Sequence, residues 1–225
     1  MKKKARAGAA RTAKRRKGAP VAGQALVLRA APVTRSPAAS GDAKAEIRRL
    51  KMQLAKANAR IEALQAAAET DFLLGIPNRR GFERELGRAI SYIKRYQASG
   101  ALVVLDVDRL KPINDNFGHA AGDQVLKAIV DVLSQQIRSS DVIGRLGGDE
   151  FALLLWNLSE TDAHAKAAAF EEDIDRLSFT FEGHTVATGV SAGVAILGPH
   201  SEAAKALADA DCAMYVRKAQ RRHEA

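Results

Sequence analysis

The chain has 225 residues, with 35 basic and 26 acidic side chains and a formal net charge of +9. The excess lies at one end, because residues 1–40 hold eleven Lys and Arg and no Asp or Glu, while the other 185 residues carry 24 basic and 26 acidic groups. This distribution argues against a uniformly basic nucleic-acid-binding domain. The single cysteine, Cys212, excludes a disulfide framework and a Cys-based zinc cluster, and is typical of a reducing compartment.

Residues 1–41 form the first predicted segment, a basic tail rich in Ala, Gly, Pro, Lys and Arg. We expect it to be disordered, because it has little apolar surface to bury, and its prolines are expected to interrupt any long helix. Such a tail either contacts an anionic partner or surface or simply improves solubility. No apolar run reaches the roughly 20 residues of a transmembrane helix. The N-terminus has charges but no apolar stretch ahead of a cleavage site, as a secretory signal would have, so the sequence predicts a cytoplasmic protein.

A heptad pattern follows the tail. Apolar residues recur at alternating spacings of three and four, namely Ile47, Leu50, Leu54, Ala57, Ile61, Leu64 and Ala68. This pattern predicts a coiled-coil dimerisation helix over residues 42–70, with the homodimer seam in residues 42–68. The alternative is a helix packed on its own domain, although such helices usually have a wider apolar stripe.

Helix and strand patterns alternate from residue 71 to residue 225, which we assign to one domain. Helices are predicted over 81–96, 122–137, 161–177 and 201–222, and strands over 101–105, 142–146, 151–156, 179–181 and 185–196. The tight turn at residues 147–150 indicates a hairpin. Together the elements predict an α/β (α+β sandwich) fold with a central antiparallel-containing sheet flanked by helices.

Two groups of carboxylates stand out in this domain. Asp106 and Asp108 end the apolar strand, and Asp149 and Glu150 occupy the hairpin turn. Oxygen ligands at a strand end facing a neighbouring turn suit Mg²⁺, which takes few protein carboxylates and completes its shell with phosphates. Two such ions can stabilise phosphoryl transfer. Either group alone is equally compatible with a loop cap or a plain turn.

A segment with nucleotide-binding chemistry, residues 111–123, follows the first carboxylate pair and opens a helix. Asn114 and Asp123 supply an amide and a carboxylate, which can read the edge of guanine, and the turn after the strand offers N–H groups to phosphate. Lys218 and Arg222 lie four residues apart on one helix face and can clamp a polyphosphate. The simpler interpretation is that they complement the helix dipole.

These motifs together resemble the GGDEF family of bacterial diguanylate cyclases. The resemblance covers about residues 71–222, and its separate parts are the signature Arg145-Leu146-Gly147-Gly148-Asp149-Glu150-Phe151, the opening Gly75-Ile76-Pro77-Asn78-Arg79-Arg80, the strand end and the helix around Lys218. It implies a palm-like nucleotidyl-cyclase fold. It also implies an enzyme that condenses two GTP into cyclic di-GMP and two pyrophosphates, with one GTP bound by each protomer of a dimer.

The resemblance assigns roles to individual residues. Asp149 and Glu150 are the implied catalytic residues. The implied ligands of Mg²⁺, or of Mn²⁺ in its place, are Asp106, the backbone carbonyl of Val107, Asp149 and Glu150. The implied substrate-binding residues are Lys111, Asn114, His119, Asp123, Gly147, Gly148, Lys218 and Arg222.

An Arg-x-x-Asp motif, Arg138 and Asp141, is separated from Gly147 by the five residues 142–146. In the family a motif at this spacing binds cyclic di-GMP and inhibits the enzyme; a helix-ending Arg with a turn-forming Asp is the simpler alternative. The sequence departs from the family mainly at flanking or packing positions, where Leu110 replaces a common Phe and Arg221 a common Gly. Two other functions stay open, a noncatalytic GTP or cyclic di-GMP receptor that signals through its coiled coil, and a nucleic-acid-binding scaffold that uses the tail.

Overall fold

The structure, a computed structural model, describes residues 37–224 and the side chains of residues 42–223. The chain divides between Lys51 and Met52 into two units. The predicted basic tail therefore lies outside the described residues, apart from its last few positions. None of the described helices is both long and apolar enough to cross a bilayer.

The first helix, α1, runs from Pro37 to Ala68. It begins ahead of the predicted boundary at residue 42, and Pro37 is its first residue. Proline is well tolerated in the first helical turn, because its missing N–H would have no intrahelical acceptor there. The large apolar residues of the heptad seam are exposed, with Leu54 and Leu64 each 62% accessible.

A four-stranded antiparallel sheet forms the centre of the second unit. Its strands, in spatial order, are β2 (Val142–Arg145), β3 (Glu150–Trp156), β1 (Gly100–Asp108) and β6 (Gly189–Leu197). The helices are α2 (Arg79–Tyr96), α3 (Leu110–Phe117), α4 (His119–Gln136), α5 (Glu160–Asp175) and α6 (Ala203–Glu224), and a separate hairpin pairs β4 (Ser178–Phe181) with β5 (His184–Ala187).

Strand β1 is buried from Gly100 to Val107 because helices cover both faces of the sheet. Val103 and Leu105 pack into a cluster with residues of α3, α4 and α5. Leu102 and Val104 point the other way and pack with α2 and α6. This alternation explains the continuous apolar run in the sequence, and the predicted helix-flanked, antiparallel-containing α+β sandwich with a preceding helix is confirmed.

Two local predictions are wrong. No helix was predicted over residues 110–117, but they form helix α3, because Arg109 adopts a left-handed conformation with φ 62° and leads the chain directly into the helix. The predicted strand over 185–196 is two strands, since β5 pairs with β4 while β6 pairs with β1. No proline or charged residue separates the two strands within residues 185–196, so their different partners were not visible in the sequence.

Candidate active site

The two predicted carboxylate groups meet at one end of the sheet. In the pairing of β1 with β3, Asp106 lies opposite Glu150. The backbone N–H of Val107 donates to the carbonyl oxygen of Asp149 at 2.9 Å. The end of β1 and the turn at residues 147–150 are therefore fixed directly against each other.

The side chain of Arg145 holds this turn by binding the backbone of its two glycines. Its guanidinium donates to the carbonyl oxygens of Gly147, at 3.0 Å from Nε, and Gly148, at 2.7 Å from Nη2. The same group pairs with Asp71 at 3.1 Å, and neither side chain of that pair is more than 17% exposed. Because a guanidinium presents several donors in one rigid plane, a single side chain fixes both carbonyls.

Arg79, at the start of α2, holds the other side of the turn. Its Nε donates to the carbonyl oxygen of Leu146 at 2.7 Å, and its Nη2 lies 3.5 Å from Oε2 of Glu150. The carboxylate of Glu150 is therefore restrained by a cation while it stays partly exposed.

Asp106 is a buried carboxylate at the centre of this arrangement. Its partner is Lys218 of α6, whose ammonium group donates to Oδ1. Burial raises the pKa of Asp106; Lys218 opposes this through its hydrogen bond and charge, and the neighbouring carboxylates of Asp149 and Asp108 raise the pKa further, so that the net shift is upward. The negative charge concentrated here favours a bound cation.

Asp108 faces a different set of partners. The hydroxyl of Ser191 on β6 lies 3.2 Å from both of its carboxylate oxygens, and Nε of Arg221 on α6 lies 3.4 Å from Oδ2. The hydroxyl of Thr188 donates to its backbone carbonyl at 3.0 Å. The structure thus separates the pair, with Asp106 directed to Lys218 and Asp108 held between β6 and α6.

A cleft of about 640 Å³ opens beside these residues. Among its lining residues are five that the sequence predicted for the site: Val107, Lys111, Asp149, Lys218 and Arg222. Burial would lower the pKa of Arg221, which also lines the cleft, but its hydrogen bond to Asp175 and the charges of Asp175, Glu171 and Asp108 outweigh this effect and raise it. The cleft combines cations suited to a polyphosphate with carboxylates suited to a metal ion.

The donor atoms fit a magnesium ion that shares its shell with a nucleotide. Within residues 42–223, no three His, Cys, Asp or Glu side chains are grouped as a protein-only metal cage. Asp106, Asp149 and the carbonyl of Val107 are hard oxygen donors, and Mg²⁺ commonly takes one or two carboxylates together with substrate phosphates.

The predicted guanine readers lie on the helices next to the cleft. Asn114, in α3, and Asp123, in α4, are half-buried, and His119 is exposed at the start of α4. Gly122 is packed on the amide of Asn114, because a Cβ added at Gly122 would lie only 2.9 Å from Cγ of Asn114. These residues do not line the 640 Å³ cleft, and Gly147 and Gly148 line a neighbouring depression of about 450 Å³.

The Arg138–Asp141 motif forms a tight turn after α4. Oδ2 of Asp141 accepts from the backbone N–H of Arg138 at 2.9 Å, and Oδ1 accepts from that of Trp156 at 3.1 Å. The side chain of Arg138 is exposed. Asp141 therefore has the turn-forming contacts of the simpler interpretation, while Arg138 is accessible to a ligand.

Comparison with known proteins places this geometry in a family. Residues 68–224 match the family described as diguanylate cyclase, GGDEF domain. The chain belongs to the GGDEF-domain family. It is 43% identical to the diguanylate cyclase TpbB of Pseudomonas aeruginosa over 166 residues, which are 71% of this chain and 37% of TpbB. It is 32% identical to the diguanylate cyclase DgcS of Shewanella oneidensis over 162 residues, 72% of this chain and 53% of DgcS.

Solved GGDEF structures match the fold as well. The coiled coil and GGDEF domain of DgcB from Caulobacter crescentus, in complex with c-di-GMP, superimposes with a TM-score of 0.66 at 27% identity, covering 81% of this chain and 94% of that one. The GGDEF domain of TpbB gives a TM-score of 0.62 at 40% identity, covering 67% and 89%. The chain spans 14% to 53% of the length of the first four curated relatives, including DgcS.

Sequence reasoning missed four residues around this GGDEF site. Arg79 and Arg145 stand inside recognised motifs, but nothing in their spacing identified the carbonyls that they bind. Ser191 gave no signal in an apolar strand. Arg221 was recognised as a departure from the family but interpreted as a packing position, whereas it lines the cleft.

Proposed function

We propose that this chain is a diguanylate cyclase that condenses two GTP molecules into cyclic di-GMP and two pyrophosphates. The observation that carries the proposal is the contact between the end of β1 and the signature turn, with Asp106 and Asp149 beside the basic end of α6. TpbB and DgcS, both named diguanylate cyclases, support the assignment.

The polyphosphate of GTP is assigned to the cleft. Lys218 and Arg222 lie one helical turn apart and offer two cations along it, and Lys111, which also lines the cleft, offers a third. Gly147 and Gly148 allow the nucleotide to approach the turn closely, because a side chain at either position would project into that space.

The guanine base is assigned to α3 and α4. Asp123 accepts from the ring N–H and the exocyclic amine, while the amide of Asn114 both donates and accepts. We assign His119, which is exposed at the start of α4, to the same base-binding site. The proposal predicts selectivity for GTP over ATP, since adenine presents the opposite donor and acceptor pattern on that edge.

Asp106, Asp149 and the carbonyl of Val107 would hold Mg²⁺, or Mn²⁺, with Glu150 next to them. When bound, the metal supplies electrostatic stabilisation to the attacking 3′-oxygen and to the departing pyrophosphate. Glu150 is positioned by Arg79 to accept a hydrogen bond from the 3′-hydroxyl. Holding both nucleotides in place supplies much of the rate increase, because the reaction then proceeds as if it were intramolecular.

A homodimer through residues 42–68 would bring two half-sites together. The exposed seam of α1 supports this proposal, since Ile47, Leu54 and Ile61 are each more than half accessible in the single chain. A parallel stalk raises the effective concentration of one catalytic domain near the other. Deleting residues 1–68 should therefore lower specific activity, most strongly at nanomolar enzyme, and full activity of residues 69–225 at that concentration would contradict the dimer.

Product inhibition is proposed at Arg138 and Asp141. The exposed guanidinium of Arg138 can bind phosphate or stack on guanine, and Asp141 fixes the turn that presents it. Arg138→Ala should weaken inhibition by added cyclic di-GMP while the initial rate stays close to that of the wild type. An unchanged inhibition curve would contradict this proposal and leave the motif with only its structural role in the turn after α4.

The test of the activity is incubation of the full chain with GTP and Mg²⁺, followed by separation of the nucleotides, with Asp149→Ala as the control. We expect cyclic di-GMP and pyrophosphate from the wild type only. GTP binding without product would favour the receptor alternative.

A cytoplasmic location accords with the GTP substrate and the unpaired Cys212, and the basic tail is proposed to contact an anionic surface or partner.

A further inference from the structure

Two helices beside the cleft are joined by four charged side chains, which we call the α5–α6 clasp. Glu171 and Asp175 lie one turn apart on α5, and Arg217 and Arg221 lie one turn apart on α6. Residues four apart share a helix face, so two anions on one helix meet two cations on the other.

The inner half of the clasp is structural. Glu171 is only 5% exposed; its Oε2 lies 2.9 Å from Nε and 2.8 Å from Nη2 of Arg217, and its Oε1 accepts from the backbone N–H of Ala192 on β6 at 2.8 Å. A buried carboxylate is tolerated only when its lone pairs are satisfied in this way. This half holds α6 against α5 and the sheet.

The outer half reaches the cleft. Nη2 of Arg221 lies 2.6 Å from Oδ1 of Asp175, Nε lies 3.4 Å from Oδ2 of Asp108, and Nη1 lies 3.7 Å from Oε2 of Glu171. Every nitrogen of this guanidinium therefore faces a carboxylate. Gly189 leaves the space for it, because a Cβ there would lie 2.8 Å from Nη2.

We propose that Arg221 is a positioning residue for the nucleotide polyphosphate, acting by neutralising Asp108 in the cleft and by fixing the end of α6 that carries Lys218 and Arg222. The inference rests on the proposed GTP site. Without Arg221, the carboxylate of Asp108 would add an unpaired negative charge to the cleft and repel the phosphates. In this proposal Arg221 acts through Asp108 rather than by contacting phosphate, because its nearest partners are the carboxylates of Asp175, Asp108 and Glu171.

Steady-state kinetics with GTP and Mg²⁺ test this role. Arg221→Ala should raise KM roughly five- to tenfold with a smaller effect on kcat. Adding Asp108→Asn should bring KM back to within about twofold of the wild-type value, because the charge that Arg221 balances is then gone. Arg221→Lys, which keeps the charge but not the fork, should be intermediate. An unchanged KM in Arg221→Ala, or no recovery in the double variant, would overturn the proposal.

Arg176→Ala is the matched control. Arg176 is an exposed arginine at the end of α5 that pairs with Glu172 and Asp173, so its removal takes away one positive charge without touching the cleft. We expect its KM to equal that of the wild type. An increase matching that of Arg221→Ala would indicate a general charge effect and contradict the proposal.

Thermal unfolding without nucleotide separates this inference from the proposed function. Arg221→Ala should lower Tm, and the double variant with Asp108→Asn should recover part of the loss, because the pair is coupled in the folded protein. Absence of GTP turnover in the wild type would defeat the cyclase assignment, whereas absence of coupling between Asp108 and Arg221 would defeat the role of Arg221.

Discussion

Gly122 offers a test of how guanine recognition depends on packing between α3 and α4. A Cβ at this position would lie 2.9 Å from Cγ of Asn114, closer than carbon atoms approach in packed proteins. The atoms in the way belong to the end of a side chain, so Asn114 can rotate to relieve the overlap. We therefore predict that Gly122→Ala leaves the fold intact but displaces the amide that is assigned to the base.

The substitution is expected to affect folding stability and GTP affinity in opposite directions. Alanine is favoured over glycine inside a helix by about 1 kcal/mol, which in a domain of this size raises Tm by about 2–4 °C before any cost of moving Asn114. Loss of a well-placed hydrogen bond to the base costs about 1–3 kcal/mol, or roughly 5- to 150-fold in the Kd for GTP. The variant should therefore bind GTP more weakly, while its free energy of unfolding stays close to that of the wild type.

Isothermal titration calorimetry with GTP and thermal unfolding measure the two effects separately. Gly87→Ala is the control, because Gly87 lies within α2 and a Cβ there has no neighbour within 4 Å; it should gain stability and keep its GTP affinity. In an Asn114→Ala background, Gly122→Ala should cause no further loss of affinity. Wild-type affinity in Gly122→Ala alone would refute the placement of Asn114 at the base.

Three further substitutions test the framework of the site. Asn78→Ala should lower the free energy of unfolding by about 1–2 kcal/mol in urea titration, because Asn78 caps α2 and also donates to the carbonyl of Ala68 at 3.0 Å; an unchanged midpoint would contradict the cap. Gly193→Ala should lower Tm by several degrees, since its Cβ would overlap backbone atoms of α6 that cannot rotate away; a wild-type Tm would show that β6 and α6 separate easily. Lys218→Met should destabilise the nucleotide-free protein by about 2 kcal/mol, because Asp106 loses its cation; the effect is smaller than for a fully buried pair. Recovery of stability in a double variant with Asp106→Asn would confirm this cause. A double variant as unstable as Lys218→Met would exclude it.

The elements that the sequence predicted well are those whose signal is local. The apolar run at residues 101–105 identified β1, and the periodicity of Val125, Ile129 and Leu133 identified α4, because each pattern reflects burial of a single element. No helix was predicted over residues 110–117, where α3 lies with Pro112 in its first turn, a position at which proline is tolerated. The boundary between β5 and β6 depends on which strand each one pairs with, and no local pattern contains that information.

The same distinction explains why the Asp-x-Asp motif was only half interpreted. Asp106 and Asp108 are two residues apart and so point to the same face of β1, which predicted one shared site. Strand β3 begins at Glu150, opposite Asp106, whereas Asp108 lies beyond that strand and pairs only with Gly189 of β6. Because Gly189 has no side chain, the guanidinium of Arg221 fits beside it and takes up the second carboxylate. The face of a strand could be predicted from spacing, but the partner of each carboxylate is decided by where the neighbouring strand starts and by which helix end reaches the gap.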